Sequence, residues 1–561
     1  MNKTGAELVV YALEQIGVKY TFGIPGVHNV EIYDQLNSSS KITPMLVTHE
    51  LAGAFMADAI SRTADSSQEI GAMVIVPAAG TTHAASGIGE AFLDGIPMMV
   101  ISGGTRRDSG RSFQLHQLDQ EKIIGGLVKK FYLVTDHNSI IQTIYDAYEL
   151  ATSGTPGPVF IEVPADIQMF SGAVTELRPY SPKIERSKIE SSELAKIKKL
   201  LTEAKQVGIY AGWGAKEASA ELINLAEKLN APVATTMQGL SVFPANHPLH
   251  SGFGFGVSAV PAAFNAFKAC DVMVVIGARF SELATGSFGV NPPEKLIHID
   301  INPAVFNKNY PATVTVAMDA KLAVTQILEE LQNFKIPVNN ELLAKIAQDK
   351  KEYFATWTET LNNKRVSPGY FFKYLREQLS PDGFVVADDG NHTFLTAELM
   401  PILKSKNFIS PTDYNAMGYA VPAAIATKLS HPDKEVVAIV GDGAFLMTGL
   451  ELITAKAYEL GVIIFVFSDG ELGQISKLQL TPLNRKTCTV LNAVDLSGIA
   501  KASGANYLTI ENDLEIEARV KEAFALTKKR QPVLVNVNIS YEKQTQFTKG
   551  VIKTNLAVSV L

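Results

Sequence analysis

The amino-acid sequence predicts an α/β protein of three domains, each a parallel sheet flanked by helices. Two observations carry that reading. Short apolar runs bounded by turn residues alternate with stretches of helical periodicity along most of the 561 residues, the pattern of repeated strand-helix-strand units. A chain of this length corresponds to three or four domains at about 150 residues each, and the alternation falls into three blocks.

Taken in order, the chain opens on Thr4-Gly5-Ala6-Glu7, a capping box. An amphipathic helix follows, with Leu8, Val9, Ala12, Leu13 and Ile16 on its apolar face, and stops at Gly17. Such a start is not a secretory signal. The first domain, residues 1–170, holds expected strands at 73–76, 98–102 and 159–163. A charged connector follows, with Pro179, Pro182 and the segment 183–188. The second domain, 191–335, has expected strands at 207–210, 272–276 and 296–301. A polar helical connector leads to the third, 365–540, and a tail closes the chain at 541–561. No short-period repeat appears, and the first and third blocks are candidates for a shared architecture.

Composition narrows the function. With 46% hydrophobic and 19% charged residues and a net charge of -7, nothing points to nucleic acid or anionic membrane as a partner. No uninterrupted apolar stretch is long enough to span a bilayer. The two cysteines, Cys270 and Cys488, lie in different domains and form neither a disulfide framework nor a metal-site spacing. A cytoplasmic location is the expectation.

The most informative segment is in the third domain. The apolar run 436–440 passes into Gly441-Asp442-Gly443, and a second run, 462–467, ends at Ser468-Asp469-Gly470-Glu471. The segment 450–460 reads as the crossover helix between two buried parallel strands. Both carboxylates then lie at one carboxyl edge of a sheet, where open α/β sheets bind ligands. There glycines admit a diphosphate, a helix N-terminus offers free amides, and an Asp can hold the Mg2+ that neutralises phosphate charge. By itself Gly-Asp-Gly reads more readily as a plain turn after a strand.

The spacing of Asp442 and Asp469 resembles that of thiamine diphosphate enzymes. In that family Mg2+ is held by two such side chains, by a backbone carbonyl two residues on, here that of Glu471, and by diphosphate oxygens. The chemistry also demands a carboxyl group on a separate domain to hydrogen-bond the pyrimidine of the cofactor. Glu50 suits this, because Thr48-His49-Glu50 ends the apolar run Met45-Leu46-Val47 and precedes a small-residue helix, 51–60, that would desolvate it. Further landmarks are Phe22-Gly23-Ile24-Pro25-Gly26, Thr155-Pro156-Gly157-Pro158-Val159, Gly277-Ala278-Arg279-Phe280, His298-Ile299-Asp300-Ile301, Ala416-Met417-Gly418 and Pro422-Ala423-Ala424. Together they cover nearly the whole chain and resemble the acetohydroxyacid synthase (acetolactate synthase) branch of the thiamine diphosphate superfamily.

That resemblance implies a three-domain thiamine diphosphate-binding fold, with pyrimidine-binding, central nucleotide-binding-like and diphosphate-binding domains in that order. It implies Glu50 as the pyrimidine activator. Asn391, His392, Ala416, Met417, Gly441, Asp442, Gly443 and Ala444 fall at cofactor contacts, with Met417 wedged beneath the bent cofactor. Asp442, Asp469 and the Glu471 carbonyl become the metal shell. Gly277, Arg279 and Asp300 occupy positions resembling a flavin or adenine-nucleotide site, where FAD is the candidate ligand. The implied activity is decarboxylation of a 2-oxo acid, pyruvate foremost, and transfer of the decarboxylated unit to a second carbonyl compound. The alternatives are a non-ligating decarboxylase or carbon-carbon lyase and a catalytically silent regulatory subunit. Because the family builds its site from two chains, a homodimer or homotetramer is expected.

The sequence departs from the family at named places. Asp469 stands where the family usually has Asn. The Ser-Gly-Pro-Gly loop near the reacting carbon is Pro77-Ala78-Ala79-Gly80, followed by Thr81, Thr82 and His83, a candidate proton shuttle. The family's Phe-Gln pair aligns with Leu115-His116 or His116-Gln117, making His116 and Gln117 candidate polar catalytic groups. Asp-Asp-Arg becomes Ser281-Glu282-Leu283, which removes an Arg from the channel of the second substrate.

Overall fold

The computed structural model describes residues 1–66, 69–182 and 187–558. Most of the connector segment 183–188 therefore lies outside the described residues. Three six-stranded sheets, parallel throughout, are flanked by helices.

Two of the sheets are topological copies. Numbered within each sheet, the strands of the first and third blocks both run in the order second, first, third, fourth, sixth, fifth. The switch point, where connections leave in opposite directions, lies between strands Tyr20–Gly23 and Gly71–Ile75 in the first block. In the third it lies between Phe384–Ala387 and Val436–Gly441. The central sheet runs third, second, first, fourth, fifth, sixth, the order of dinucleotide-binding folds, with its switch point between Val207–Ala211 and Val272–Ile276. Each switch point creates a crevice at the carboxyl ends of the strands, so the fold has three natural ligand positions.

Local chemistry sets the elements. Thr4 Oγ1 accepts the Glu7 N–H at 3.2 Å and the Glu7 carboxylate accepts the Thr4 N–H at 2.8 Å, so the capping box starts the helix Gly5–Gln15. Residues 436–440 and Ile463–Phe467 are buried along their whole length, as strands covered on both faces must be. The crossover helix expected at 450–460 is present but shorter, and it is not the whole crossover. The crossover is a helix Asp442–Thr448, a 3-10 turn Gly449–Glu451 and a helix Leu452–Ala457. The break follows from the site, because the chain turns helical immediately at Asp442 and must then change direction to pack back on the sheet.

The helix expected at 51–60 runs Glu50–Thr63, with Glu50 itself in its first turn. It is buried almost all round and packs closely against the third block's helix Ala420–Ser430, while Gly53 faces Met73, Val47 and Phe22 of its own block. The end of this contact holds a buried polar knot. Arg62, 1% exposed, donates to Asp58 at 2.6 Å, to Asp94 at 2.9 Å and to the Ser410 carbonyl at 3.2 Å, and lies over the Tyr419 ring. Burial and the neighbouring Asp94 push the Glu90 carboxyl up. Arg62→Met is expected to destabilise the protein by about 3–5 kcal/mol, because it strands buried carboxylates without a counter-charge. Chemical denaturation followed by circular dichroism measures this, and an unchanged midpoint would refute it.

The tail is not an appendage. Its helix, Gln546–Val558, docks Phe547 between Phe253 of the central block and Phe394 of the third, with ring centroids at 5.2 and 4.7 Å.

Candidate active site

At the third sheet's switch point, three strand ends converge. The turn 388–392 follows the first strand, Asp442 and Gly443 follow the third, and the turn 468–473 follows the fourth. They enclose a cavity of about 180 Å³ lined by Asn391, His392, Met417, Asp442, Asp469 and Glu471 among others. Gly441, Gly443 and Ala444 also line it.

Asp442 ties the strand ends together. Its Oδ2 accepts the N–H groups of Asp469 at 3.1 Å and Gly470 at 2.8 Å, and its Oδ1 accepts that of Gly443 at 2.8 Å. Burial pushes its carboxyl up. Burial and the Asp442 carboxylate push Asp469 up to about 6. Two carboxylates facing one cavity, one raising the other, is the electrostatic condition that a divalent cation relieves. Among the described residues no three His, Cys, Asp or Glu side chains gather as metal ligands. The Glu471 carboxylate turns away to Lys486, at 2.6 Å from its Nζ.

His392 leaves one ring nitrogen open to a ligand in this cavity. It is buried, its Nε2 has no partner, and burial pushes its imidazole down to about 3, so the ring is neutral. Room for such a ligand depends on glycine. A Cβ on Gly473 would lie 2.7 Å from Asp469 Oδ2 and 3.2 Å from Asn391 Nδ2. Gly473 was not visible as a functional residue in the sequence, where it is one glycine in a polar turn. Asp389 was also missed; it lines the same cavity, and burial pushes it up to about 6.

The turn carrying Met417 is pinned from two sides. Asp388 accepts the N–H groups of Gly418 at 2.8 Å and Ala420 at 2.7 Å, and Glu90 of the first block accepts that of Ala416 at 3.0 Å. Gly418 has φ +88, which glycine adopts without strain.

Glu50 lies at the carboxyl edge of the first sheet and is 6% exposed. His83, on the helix Ala79–Asp94, places Nδ1 3.0 Å from Glu50 Oε2 and stacks on His49 at 4.7 Å. Its side chain is half exposed, so it connects the buried carboxyl to solvent. Ala78, which precedes that helix, has φ +58 and ψ -91, a strained geometry where the family has glycine. His116 Nδ1 lies 3.2 Å from His28 Nδ1. Burial and His116 push the His28 imidazole down. His28 was missed, since no local signal separates it from the loop it follows. Gln117 instead supports its own loop, its Oε1 accepting the Gln114 N–H at 2.9 Å. None of the residues lining the diphosphate-sized cavity comes from the first block, so in one chain Glu50 and Asp442 do not share a cavity.

The central sheet's switch point holds a further cavity, of about 130 Å³, lined by Gly277, Arg279, Asp300, Trp213 and Lys216. Gly277, at φ +60, approaches the Gly214 backbone so closely that a Cβ would fall 2.5 Å from it. The Trp213 Nε1 has no partner. Arg279 is not free for a pyrophosphate, since its guanidinium is held by Asp413 and the Leu93 carbonyl. Leu283 lines this same cavity.

Three stretches of the chain match descriptions of one family: residues 3–123 the N-terminal TPP binding domain, 194–328 the central domain and 388–537 the C-terminal TPP binding domain of thiamine pyrophosphate enzymes. The chain is similar to a probable acetolactate synthase large subunit of Methanocaldococcus jannaschii, with 32% identity over 556 residues, 95% of this chain and 92% of that one. It is similar to the acetolactate synthase large subunit of Haemophilus influenzae, with 30% identity over 551 residues, 96% of this chain and 94% of that one. The large subunit of acetolactate synthase isozyme 3 of Escherichia coli is 29% identical over 554 residues, 96% of this chain and 95% of its own. A cavity with paired aspartates at the third sheet's switch point, a buried glutamate on the first sheet and matches along nearly the full length lead to one conclusion: the chain belongs to the thiamine pyrophosphate enzyme family, in its acetolactate-synthase-like branch.

Proposed function

We propose that this protein is a thiamine diphosphate- and Mg2+-dependent carboligase that decarboxylates a 2-oxo acid, pyruvate foremost, and joins the decarboxylated unit to a second carbonyl compound. The observation that carries this reading is the convergence of Asp442, Asp469, Asn391 and the unpartnered His392 on one cavity, in a chain similar along its length to acetolactate synthase large subunits. Bound thiamine diphosphate supplies the carbon nucleophile and the electron sink.

The chain's residues bind, orient and move protons. Asp442, Asp469 and the Glu471 carbonyl hold Mg2+. Asn391, His392 and the backbone of Gly441, Gly443 and Ala444 take the diphosphate, while Ala416 and Met417 seat the cofactor's bend. Glu50 holds a proton against the pyrimidine, and His83 exchanges it with solvent. His116, buttressed by His28, faces substrate, and Gln117 holds its loop. The central cavity is an adenine-nucleotide site with Asp300 toward the ribose; FAD would need Arg279 released from Asp413, and no step is assigned to it.

Two copies complete the site, Glu50 coming from one and the diphosphate cavity from the other, in a homodimer or a pair of dimers. The segment after Asp442 exposes Leu446, Met447, Leu450 and Ile453, and the first block exposes Val27, Val30 and Leu46. Faces of this kind suit burial against a second copy.

Mass spectrometry of products from the purified protein with thiamine diphosphate, Mg2+ and a panel of 2-oxo acids tests the reading. Acetolactate is expected from pyruvate alone, and acyloins beside it when a neutral aldehyde is in excess, because Leu283 stands where the resembled family has the Arg of the second substrate's channel. Free aldehyde as the sole product would replace ligation by simple decarboxylation, and absence of CO2 release would favour a silent subunit. Exclusive acetolactate with the aldehyde in excess would overturn the relaxed acceptor choice alone.

A further inference from the structure

A cavity of about 330 Å³ lies apart from both sites, where the central sheet's edge strand His250–Phe253, the connecting helix Asn340–Thr356 and the helix Asn391–Leu399 meet. Phe253, Val260, Phe354, Leu399 and Met400 make most of its wall apolar. Lys350 and His250 supply its polar end.

Their hydrogen bonding is incomplete in a particular way. The Lys350 ammonium donates to the Ala245 carbonyl at 3.2 Å and lies 3.0 Å from His250 Nδ1. Both partners are neutral. Among the described residues no carboxylate lies within ion-pair distance of Lys350, and an ammonium has three donors to satisfy. Glu398, also in the wall, is already engaged: it accepts the Tyr353 hydroxyl and the N–H groups of Gln546 at 3.0 Å and Phe547 at 2.8 Å. His250 is 6% exposed, and burial followed by Lys350 holds its imidazole neutral. With Nδ1 accepting from Lys350, the ring proton sits on Nε2, and Nε2 has no partner. The polar end of an apolar cavity therefore carries a cation without a counter-ion beside an unsatisfied buried donor. Burial pushes Lys350 down to about 8, the mark of a charge lacking compensation.

We propose that this cavity binds a small monocarboxylate with an apolar body, its carboxylate paired with Lys350 and its body against Phe253, Val260, Phe354 and Met400. An anion supplies the missing counter-charge, and an apolar chain suits the walls. The helix Asn391–Leu399 spans about 12 Å. It brings Asn391 and His392 to the diphosphate cavity at one end and Ala397, Glu398 and Leu399 to this one at the other. The proposal itself concerns binding and stands without the cofactor.

Isothermal titration calorimetry on the full chain tests it, with hexanoate as the probe and 1-hexanol as the same body without charge. Saturable binding of hexanoate is expected, at least 10-fold tighter than hexanol. Lys350→Met should weaken hexanoate at least 10-fold and Lys350→Arg should restore it. No saturable binding, equal affinity for the alcohol, or an unchanged affinity in Lys350→Met would each overturn the site. Should Lys350→Met fail to fold, the comparison of acid with alcohol on the unaltered protein decides.

Discussion

Asp442→Ala is expected to abolish Mg2+-dependent retention of thiamine diphosphate, while Asp469→Asn keeps most of it. Asp442 has two duties that alanine cannot perform. It offers a carboxylate to the cavity, and it accepts the N–H groups of Asp469 and Gly470, which hold the turn 468–470 against the third strand, besides that of its neighbour Gly443. Its loss removes charge from the metal and loosens the turn that presents Asp469 and the Glu471 carbonyl. Asp469→Asn retains an oxygen ligand of the same length and removes the charge that burial and the Asp442 carboxylate disfavour, pushing Asp469 up to about 6. Equilibrium dialysis of cofactor with and without Mg2+ measures both. Normal Mg2+-dependent binding by the Asp442→Ala protein would end the metal assignment, whatever its activity.

Glu50→Gln should bind cofactor nearly as the unaltered protein does, yet slow hydrogen-deuterium exchange at the thiazolium carbon by on the order of 10²-fold or more. Glutamine preserves the size of the side chain at the start of the helix Glu50–Thr63 and can still hydrogen-bond, but it cannot hold or release a proton. The His83 contact at 3.0 Å from Oε2 would be left without its proton-exchanging partner. Exchange measured by nuclear magnetic resonance after acid quench separates this from a binding defect. An exchange rate equal to that of the unaltered protein would remove Glu50 from the proton path.

The legible part of the fold was the part written locally. The expected strand 272–276 coincides with Val272–Ile276, and the capping box at Thr4 forms as read. Elsewhere register slipped: the strand expected at 73–76 is Gly71–Ile75, and that expected at 45–47 is Thr43–Leu46. Strand ends depend on where neighbours stop pairing, which a run of apolar residues does not record. The crossover at 450–460 was legible only in part, since its apolar spacing marks the helix Leu452–Ala457 but not the helix Asp442–Thr448 before it.

By itself the sequence determined the kind of protein this is: three parallel sheets, two aspartates one strand-helix-strand unit apart, and a glutamate on another sheet. These follow from apolar periodicity, turn residues and short-range spacing, which are properties of the local chain. The tertiary structure alone decided which distant groups meet. It placed His83 on Glu50, His28 on His116, Arg279 on Asp413, Arg62 among Asp58 and Asp94, and Lys350 on His250. Most of these pairs join elements that become neighbours only through strand order and helix packing. Charge balance and burial at each of them are set by that meeting, and no stretch of sequence contains it.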